Sequence, residues 1–328
     1  MAADKQTILV TGGAGFVGSH FARAAHEAGH RVVVYDDLSA GTNPRLPTGV
    51  GFAFGDIGDA ARLTQVIREQ EITAYVHFAG KICVGESVEK PAMYFDRNLV
   101  RTITLLDVVL EHAPQAFLFS STAAVYGMPE VVPIVETARL APINPYGSSK
   151  LAVESVLAAY GHAYGLRWGA LRYFNASGAH PDGSLREDHD PETHLIPLAI
   201  DAALGKRPAL TVFGTDYETT DGTCVRDYVH VCDLATAHLA AIDALVAGRE
   251  VGAVNLGSST GFTVREVVDE VGRVVGAPVP HSLGPRRAGD PAVLLASNAR
   301  ARDLLGWTPA RSELAVVIDD AVRSRRPR

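Results

Sequence analysis

The chain has 328 residues, a net charge of −7 at pH 7 and 47% hydrophobic residues, an ordinary balance for a globular protein of one or two lobes. The negative charge argues against a nucleic-acid partner, which needs a basic stripe, and no apolar run is long enough to span a bilayer. Three scattered cysteines form no disulfide or metal-ligand pattern and fit a reducing cytoplasm. The first predicted strand begins at about residue 7, so no signal peptide is expected.

A glycine-rich turn follows the first predicted strand. Its glycines are Gly12, Gly15 and Gly18, and the next helix begins with Phe16 and Val17. Without a Cβ, backbone N–H groups and the helix N-terminus can approach a pyrophosphate; an ordinary strand-to-helix turn is the alternative. The second strand, 31–35, ends at Asp36 and Asp37, whose carboxylates suit the 2′- and 3′-hydroxyls of an adenine ribose and would repel a 2′-phosphate. This order of elements predicts dinucleotide binding, with NAD favoured over NADP.

Strands and helices are predicted to alternate up to about residue 175. The strands are 7–11, 31–35, 50–54, 73–78, 115–120 and 168–174, and the helices are 16–29, 58–70, about 92–112 and about 146–164. The alternation predicts an α/β fold with a Rossmann-type doubly wound parallel sheet, whose ligand lies beyond the carboxyl ends of the strands. Residues 1–175 are predicted to bind NAD, with about 228–258 returning to that domain, and 176–328 to form a smaller C-terminal α/β substrate lobe.

Three predicted strand ends carry residues that suit a cofactor or substrate. Asp56 and Ile57 follow the third strand, where Asp56 either meets an adenine amino group or caps the next helix. Small residues that let backbone approach a cofactor follow the fourth strand, in the sequence Phe78, Ala79, Gly80 and Lys81. Hydroxyls that either form a turn or face a substrate follow the fifth, at Ser120, Ser121 and Thr122.

The predicted helix near 146 places Tyr146 and Lys150 four residues apart, on one face. A free phenol has a pKa of about 10 and is a poor base, but a nearby ammonium and a positively charged nicotinamide ring favour the phenolate. Tyr146 is therefore predicted to exchange a proton with a sugar hydroxyl while hydride moves to the ring, with Thr122 holding the reacting oxygen. Lys150 is also expected to bond the nicotinamide ribose. Such a pair alone is a common amphipathic spacing; the preceding turn favours the catalytic interpretation.

The pattern loosens past residue 175. Residues 175–191 are rich in Gly, Pro, Asp and His and predict a long surface connection, and a helix is expected over 262–275. The histidines near this connection, His180, His189 and His194, lack ligand spacing, so no metal is expected. Arg226 and Arg287 are candidates either for diphosphate contact or for surface ion pairs.

More specific motifs lie along the chain: FAG at 78–80, VGESV at 84–88, FSSTAAVYG at 119–127, LRYFN at 171–175, DGTCVRDY at 221–228 and RRAGD at 286–290. With the glycine turn and Tyr146-x-x-x-Lys150, they resemble the UDP-glucose 4-epimerase family of the extended short-chain dehydrogenase/reductase superfamily, over nearly the whole chain. The resemblance implies tightly bound NAD, removal of the sugar 4-hydroxyl proton by Tyr146, a transient 4-keto sugar that swings about the diphosphate, and hydride return to its other face.

The same resemblance implies a homodimer, formed through the helices near 92–112 and 146–164, and further contacts. It adds Asn98, Ser120 and Tyr173 to the cofactor site. It implies UDP-sugar contacts at Asn175, His194, Leu195, Phe213, Arg226, Tyr228, Arg287, Asp290 and Leu294.

Three positions depart from the family pattern. The family often has Leu-Lys after Phe-Ala-Gly, so Lys81 is displaced by one residue. Many members carry Asn where His194 stands. Leu294 aligns with a position where a Tyr restricts the sugar pocket in some members and a small residue admits N-acetylated sugars in others, so partial acceptance of UDP-N-acetylglucosamine is expected.

The sequence supports three other functions less well than it supports a UDP-sugar 4-epimerase. A nucleotide-sugar 4,6-dehydratase needs an added acid and base, and those enzymes resemble Thr-Asp-Glu where this chain has Thr122-Ala123-Ala124. A UDP-glucuronate epimerase is an alternative, but the chain shows no clear extra cationic pair for a sugar carboxylate. A non-catalytic NAD-binding sensor is allowed by the fold alone, yet such a module has no need of a phenolate.

Overall fold

The computed structural model describes residues 5–39, 46–287 and 289–326. The strands are β1 (Thr7–Thr11), β2 (Arg31–Asp36), β3 (Gly51–Phe54), β4 (Ala74–His77), β5 (Ala116–Thr122), β6 (Trp168–Tyr173), β7 (Asn175–Ser177), β8 (Leu210–Phe213), β9 (Val225–His230), β10 (Gly252–Leu256), β11 (Gly261–Thr263), β12 (His281–Gly284) and β13 (Val293–Leu294). The helices are α1 (Phe16–Glu27), α2 (Ala60–Gln70), α3 (Val84–Glu89), α4 (Pro91–Phe95), α5 (Arg101–Leu110), α6 (Pro145–Tyr164), α7 (Leu195–Ala203), α8 (Val231–Val246), α9 (Val264–Val275), α10 (Ala299–Leu305) and α11 (Leu314–Arg325).

A seven-stranded parallel sheet organises the larger part of the chain. Its strand order is β10-β6-β5-β4-β1-β2-β3. One apolar layer packs α1 and α8 against the sheet, and another packs α2, α5 and α6 against the opposite face. Strands covered on both faces are largely apolar, and every residue of β5 is buried, including Ser120, Ser121 and Thr122 at its end. The predicted Rossmann-type α/β fold is confirmed.

The C-terminal part contributes both to this sheet and to smaller ones. Strand β10 pairs with β6 in parallel and forms the edge of the large sheet. Strands β7, β9, β11 and β13 form a second sheet, β8 pairs with β12, and α7, α9 and α11 surround a separate apolar cluster. No helix in the described part of the chain is both long and apolar enough to cross a membrane.

The structure corrects three predicted elements. The helix expected over 92–112 is interrupted by a π-helical turn, Asp96–Val100, between α4 and α5. The helix expected from 262 begins at Val264, because the Thr263 hydroxyl accepts the Glu266 N–H and the Glu266 carboxylate accepts the Thr263 N–H in return. The connection expected on the surface after Asn175 contains β7 and a buried carboxylate, Glu187.

A buried ion pair lies beneath the carboxyl end of β5. Arg172 of β6 donates Nε to Glu154 Oε1 of α6 at 3.0 Å and Nη1 to the Tyr126 hydroxyl at 2.9 Å. The Ser121 hydroxyl donates to the same Glu154 oxygen at 2.5 Å. Both charged side chains are about 95% buried, with exposures of 4% and 5%. The network joins β5, β6 and α6 directly under Thr122.

We predict that Arg172→Leu destabilises the fold strongly, because it leaves the Glu154 carboxylate buried without its cation. Urea unfolding followed by circular dichroism should show a loss of about 3–5 kcal/mol in the free energy of unfolding. The matched control is Arg273→Leu, which breaks an exposed pair with Glu270 on α9 and should leave the unfolding midpoint nearly unchanged. Equal losses in the two variants would contradict the prediction.

Candidate active site

The glycine turn holds β1 against the residues that follow β4. Gly12 has a φ of 71°, and a Cβ there would lie 2.4 Å from the Ala79 backbone nitrogen. A Cβ on Gly18 would lie 2.3 Å from the Gly12 carbonyl oxygen. Both distances are shorter than any real contact, so only glycine fits. The turn thereby presents backbone at the start of α1, close to the end of β4, as a dinucleotide cradle requires.

Asp36 is tied to this turn. Its Oδ2 accepts the Ala14 N–H at 3.0 Å and its Oδ1 accepts the Leu38 N–H at 2.8 Å. Burial raises the pKa of the Asp36 carboxyl, and these two N–H groups offset part of that rise. Asp37 accepts the Ser39 N–H at 2.9 Å. Each Asp36 oxygen keeps a second lone pair, so the carboxylate can still accept hydroxyl hydrogens.

Asp56 lies among arginines instead of capping a helix. Its carboxylate accepts the Gly58 N–H at 2.8 Å, lies 3.2 Å from Arg97 Nη1 and pairs with Arg101. Partial burial alone would raise the pKa of Asp56, but these donors outweigh it and lower that pKa. The cap of α2 is Asp59, which accepts the Arg62 N–H at 3.0 Å. The capping alternative for Asp56 is therefore wrong.

The segment 78–81 is held by Asn98 and the start of α6. Asn98 Oδ1 accepts the Lys81 N–H at 2.7 Å, and its Nδ2 donates to the Lys81 carbonyl at 3.0 Å and to Ser149 Oγ at 3.0 Å. A Cβ on Gly80 would lie 2.9 Å from Asn98 Oδ1, so the close approach depends on glycine. Asn98, which the family resemblance placed near the cofactor, thus positions the backbone beside it.

Helix α6 brings Tyr146 to the end of β5. The helix begins at Pro145, after Asn144 accepts the Gly147 N–H at 2.8 Å. The Thr122 side chain lies close enough to the Tyr146 hydroxyl to lower the pKa of that phenol. One turn further, Lys150 Nζ donates to the Ser120 carbonyl at 3.1 Å and lies 4.8 Å from the centre of the Phe119 ring.

These contacts join the predicted catalytic residues to the predicted cofactor residues. The Ser120 and Tyr173 hydroxyls are hydrogen-bonded to each other at the ends of β5 and β6. A Cβ on Gly80 would lie 3.6 Å from Lys150 Nζ. The predicted catalytic and cofactor residues therefore meet at the carboxyl ends of β5 and β6: Tyr146, Lys150, Thr122, Ser120 and Tyr173.

The predicted stabilisation of the Tyr146 phenolate by Lys150 together with a nicotinamide ring stays a prediction, and the groups around the phenol act on its pKa in opposite directions. Burial raises the pKa of the Tyr146 phenol, and the Thr122 side chain offsets only part of that rise. Burial also lowers the pKa of Lys150 to about 8 from its ordinary 10.5. A lysine so placed is partly neutral near pH 8, so ionisation of the phenol needs a further positive charge in the site.

The predicted substrate residues lie in the C-terminal part. Arg226 pairs with Asp290, so the ion-pair alternative holds for Arg226 in this structure. Arg287 lies with its guanidinium carbon 4.1 Å from the centre of the Phe213 ring. Asn175 Nδ2 donates to the Asp227 carbonyl at 2.8 Å.

Three other predicted contacts have distinct settings. Leu195 is the first residue of α7. Tyr228 is only 5% exposed and belongs to the apolar cluster around α7 and α9, which leaves its side chain little surface for a substrate. Leu294 packs against the cluster of Val125, Tyr126 and Ile134, just beyond Thr122. Ile57 is also an interior residue, 7% exposed.

His194 lies in a polar cluster that the sequence analysis missed. Its Nδ1 is 2.5 Å from Glu187 Oε1, so this nitrogen faces a carboxylate and not the predicted UDP site. Glu187 also faces His189, and Glu192 completes the group. His180 lies apart, paired with Asp182 at 2.8 Å. The expectation of no metal weighed the histidines alone; the interleaved Glu187-x-His189-x-x-Glu192-x-His194 was the available signal.

Comparison with known proteins defines the class to which this site belongs. Residues 8–257 match the model of the NAD dependent epimerase/dehydratase family, so the chain belongs to that family. Within it, the chain is 49% identical to the UDP-glucose 4-epimerase of Rhizobium meliloti, over 97% of this chain and 96% of the relative. The predicted resemblance to UDP-glucose 4-epimerases is confirmed.

Two solved structures have nearly the same fold. The UDP-glucose 4-epimerase of Brucella ovis, crystallised with NAD, superposes with a TM-score of 0.95 at 48% identity, covering 97% of this chain and 98% of the other. The enzyme of Bifidobacterium longum, in complex with NAD+ and UDP, superposes with a TM-score of 0.91 at 37% identity, covering 97% and 98%.

We predict that Lys150→Met stabilises the cofactor-free protein, because it removes a buried ammonium. Each pKa unit is worth about 1.4 kcal/mol, so after loss of one hydrogen bond the gain at pH 7 is about 1–3 kcal/mol. The folded state releases this proton near pH 8 and the unfolded state near 10.5, so the cost in the natural protein fades between these values. Urea unfolding at pH 7 and pH 10 measures it.

The exposed Lys90→Met serves as the control and should match the natural protein at both pH values. A Lys150→Met protein that is less stable at pH 7, or whose advantage is the same at pH 10, contradicts the argument.

Proposed function

We propose that this protein interconverts UDP-galactose and UDP-glucose by transient oxidation at C4 of the sugar. The observation that carries the proposal is that Tyr146, at the start of α6, faces Thr122 at the end of β5 in a chain that belongs to the NAD dependent epimerase/dehydratase family. Its relatives are UDP-glucose 4-epimerases over nearly their whole length. The enzyme is therefore an NAD-dependent nucleotide-sugar 4-epimerase.

NAD fits the residues at the carboxyl edge of the sheet. The turn at Gly12 and Gly18 admits no Cβ, and the Asp36 oxygens keep free lone pairs for ribose hydroxyls. The residues that would hold the cofactor are Gly12, Gly15, Phe16, Val17, Gly18, Asp36, Asp37, Asp56, Ile57, Phe78, Ala79, Gly80, Lys81, Asn98, Ser120, Tyr146, Lys150 and Tyr173. When bound, NAD would accept the hydride from C4 of the sugar and later return it to the same carbon, so the reaction would involve no net redox change.

The protein side chains handle the proton. Thr122 orients the 4-hydroxyl, and Tyr146 accepts its proton in the oxidation half and returns it in the reduction half. The Lys150 ammonium lies one helical turn from Tyr146 and adds a positive charge to the site. Because burial raises the Tyr146 pKa, this tyrosine holds its proton until the site carries the further charge of a bound cofactor. Proton transfer is thereby linked to a loaded site.

The C-terminal lobe, 176–328, is the part that we assign to UDP-sugar binding. Arg287 is an exposed cation with the Phe213 ring beside it, and Arg226 is a mostly buried cation that pairs with Asp290. Guanidinium groups grip phosphate oxygens in pairs, which suits a diphosphate. Asn175, Leu195 and Asp290 complete the proposed contacts.

Two alternatives lose support at particular residues. A 4,6-dehydratase needs an acid and a base next to Thr122, and Ala123 and Ala124 provide neither. A sensor that only binds NAD has no use for the joined Tyr146 and Thr122. For N-acetylated substrates, Leu294 is the favouring observation, since it is smaller than tyrosine and packs beside the 3-10 turn that follows Thr122.

We predict that the purified protein converts UDP-galactose without added cofactor. Proton NMR of the anomeric signals should show UDP-glucose appearing until the two reach an equilibrium mixture. Tyr146→Phe should slow the conversion by about 10²–10⁴-fold, the usual contribution of general acid–base catalysis, while bound NAD is retained. Tyr164→Phe, at the exposed end of the same helix, is the matched control and should react at the natural rate.

Absence of conversion even with NAD supplied would sink the proposal for this sugar. UDP-N-acetylglucosamine forms a second arm of the assay, and a rate no greater than background would exclude the expected partial acceptance. An unchanged rate in Tyr146→Phe would instead favour a different proton acceptor.

The proposal includes a homodimer that acts in the cytoplasm. Helices α5 and α6 lie side by side, with the Tyr160 hydroxyl donating to Asp107 at 2.7 Å, and apolar side chains near them are exposed, including Phe95 and Val100. A second copy would cover such a surface. The three cysteines are free, which suits a reducing compartment.

We predict that sedimentation equilibrium gives twice the chain mass of 34.8 kDa. Val100→Asp, which buries a charge in the proposed interface, should shift the protein toward the monomer. Val131→Asp changes a valine that is even more exposed and lies outside these helices, and it should remain dimeric. A monomeric natural protein, or a dimer in both variants, contradicts the proposed interface.

A further inference from the structure

Four potential metal ligands converge just before α7. His194 Nδ1 lies 2.5 Å from Glu187 Oε1 and 3.4 Å from Glu192 Oε1, and His189 Nδ1 lies 3.2 Å from the same Glu187 oxygen. One ligand atom from each of the four residues lies within 4.8 Å of all the others. The two imidazole rings are 5.3 Å apart, centre to centre. All four side chains therefore aim at one point.

The cluster is a built site within the fold. The Glu187 side chain is only 6% exposed and the Glu192 side chain 12%. His189 Nδ1 is buried and makes no well-formed hydrogen bond, although it faces Glu187. Backbone contacts fix the carboxylate of Glu192, whose Oε1 accepts the Thr193 and His194 N–H groups at 2.8 and 2.9 Å. The ligands are thus positioned before any ion arrives.

The donor set suits a divalent cation. Glu187 and Glu192 supply two carboxylates, and among the described residues the Arg325 guanidinium lies 3.5 Å from the outer Glu192 Oε2, so it leaves the inner oxygens to the cluster. One divalent ion can bind both carboxylates and both imidazoles at once, because each of the four residues offers it one ligand atom.

The geometry suits zinc. Zinc binds four nitrogen and oxygen ligands tetrahedrally at about 2.0–2.2 Å, which separates neighbouring ligand atoms by roughly 3.3–3.5 Å. The separations of 3.2 and 3.4 Å agree with this, whereas the 2.5 Å contact has to widen and the more distant pairs, up to 4.8 Å apart, have to approach each other. Two imidazoles and two carboxylates fit zinc better than magnesium or calcium, which prefer oxygen ligands alone.

We propose that Glu187, His189, Glu192 and His194 form a structural zinc site. His194 directly precedes Leu195, the first residue of α7, so the ion would tie the segment after β7 to the start of that helix. Since all four positions are filled by protein, the site has no open position for substrate and serves structure, not chemistry. If the proposed function holds, this tie also fixes the Leu195 contact to the uridine nucleotide.

The test measures zinc and requires no activity. The full chain, purified without chelator or affinity tag, should contain about one zinc per chain by mass spectrometry. Cobalt added to the zinc-free chain should give the visible absorption of a tetrahedral site. His189→Ala and Glu187→Gln should weaken zinc binding by at least about 100-fold, more than loss of an outer partner does.

The matched control is His180→Ala, which removes a histidine nearby in sequence but paired with Asp182 outside the cluster. It should keep both the zinc and the cobalt spectrum. Circular dichroism of each variant distinguishes loss of a zinc ligand from loss of folding. The cobalt measurement is made on the natural chain and therefore does not depend on any variant folding. No zinc in the natural chain together with no tetrahedral cobalt spectrum would overturn the proposal, as would equal zinc loss in His180→Ala. Neither result bears on epimerase activity.

Discussion

The catalytic part of the site depends on one buried ammonium group, that of Lys150. Lys150 lies in the interior, where its Nζ donates to the Ser120 carbonyl and lies over the Phe119 ring, and in the described part of the chain no carboxylate pairs with it. A buried cation of this kind opposes folding, so packing elsewhere must offset its cost. The Asn98 hydrogen bonds to Lys81 and the Arg172–Glu154 pair join the neighbouring elements. Burial of the Lys150 ammonium lowers the stability of the fold, but it keeps a positive charge near the phenol that must ionise.

The same logic explains the state of the tyrosine. A phenol that ionised before a substrate was bound would carry a negative charge with no proton to accept from a sugar hydroxyl. Burial holds the Tyr146 proton, and the neighbouring lysine is itself close to losing its own. Burial favours the neutral form of both groups, so a positive charge added beside them favours loss of a proton from each.

Local signals predicted most of the fold, because each element carries its own cue. The period of the apolar residues located β1 to β6, and the glycine spacing located the turn. Tertiary contacts decided the rest. Asp56 could not be assigned because its partners, Arg97 and Arg101, lie more than 40 residues away. The helix start at Val264 followed from a capping box that the apolar period hid. The cluster at Glu187 needed the loop to fold back on itself.

One topological feature bears on how the chain is made. The large sheet receives its edge strand β10 from residues 252–256, and α8 packs in the same apolar layer as α1. Until residues 231–256 have left the ribosome, β6 has no outer neighbour and that apolar layer lacks α8. An unpaired, apolar edge of this kind invites pairing with other chains. The nascent protein therefore passes through a long interval in which its central sheet is unfinished, and chaperones have the opportunity to act there.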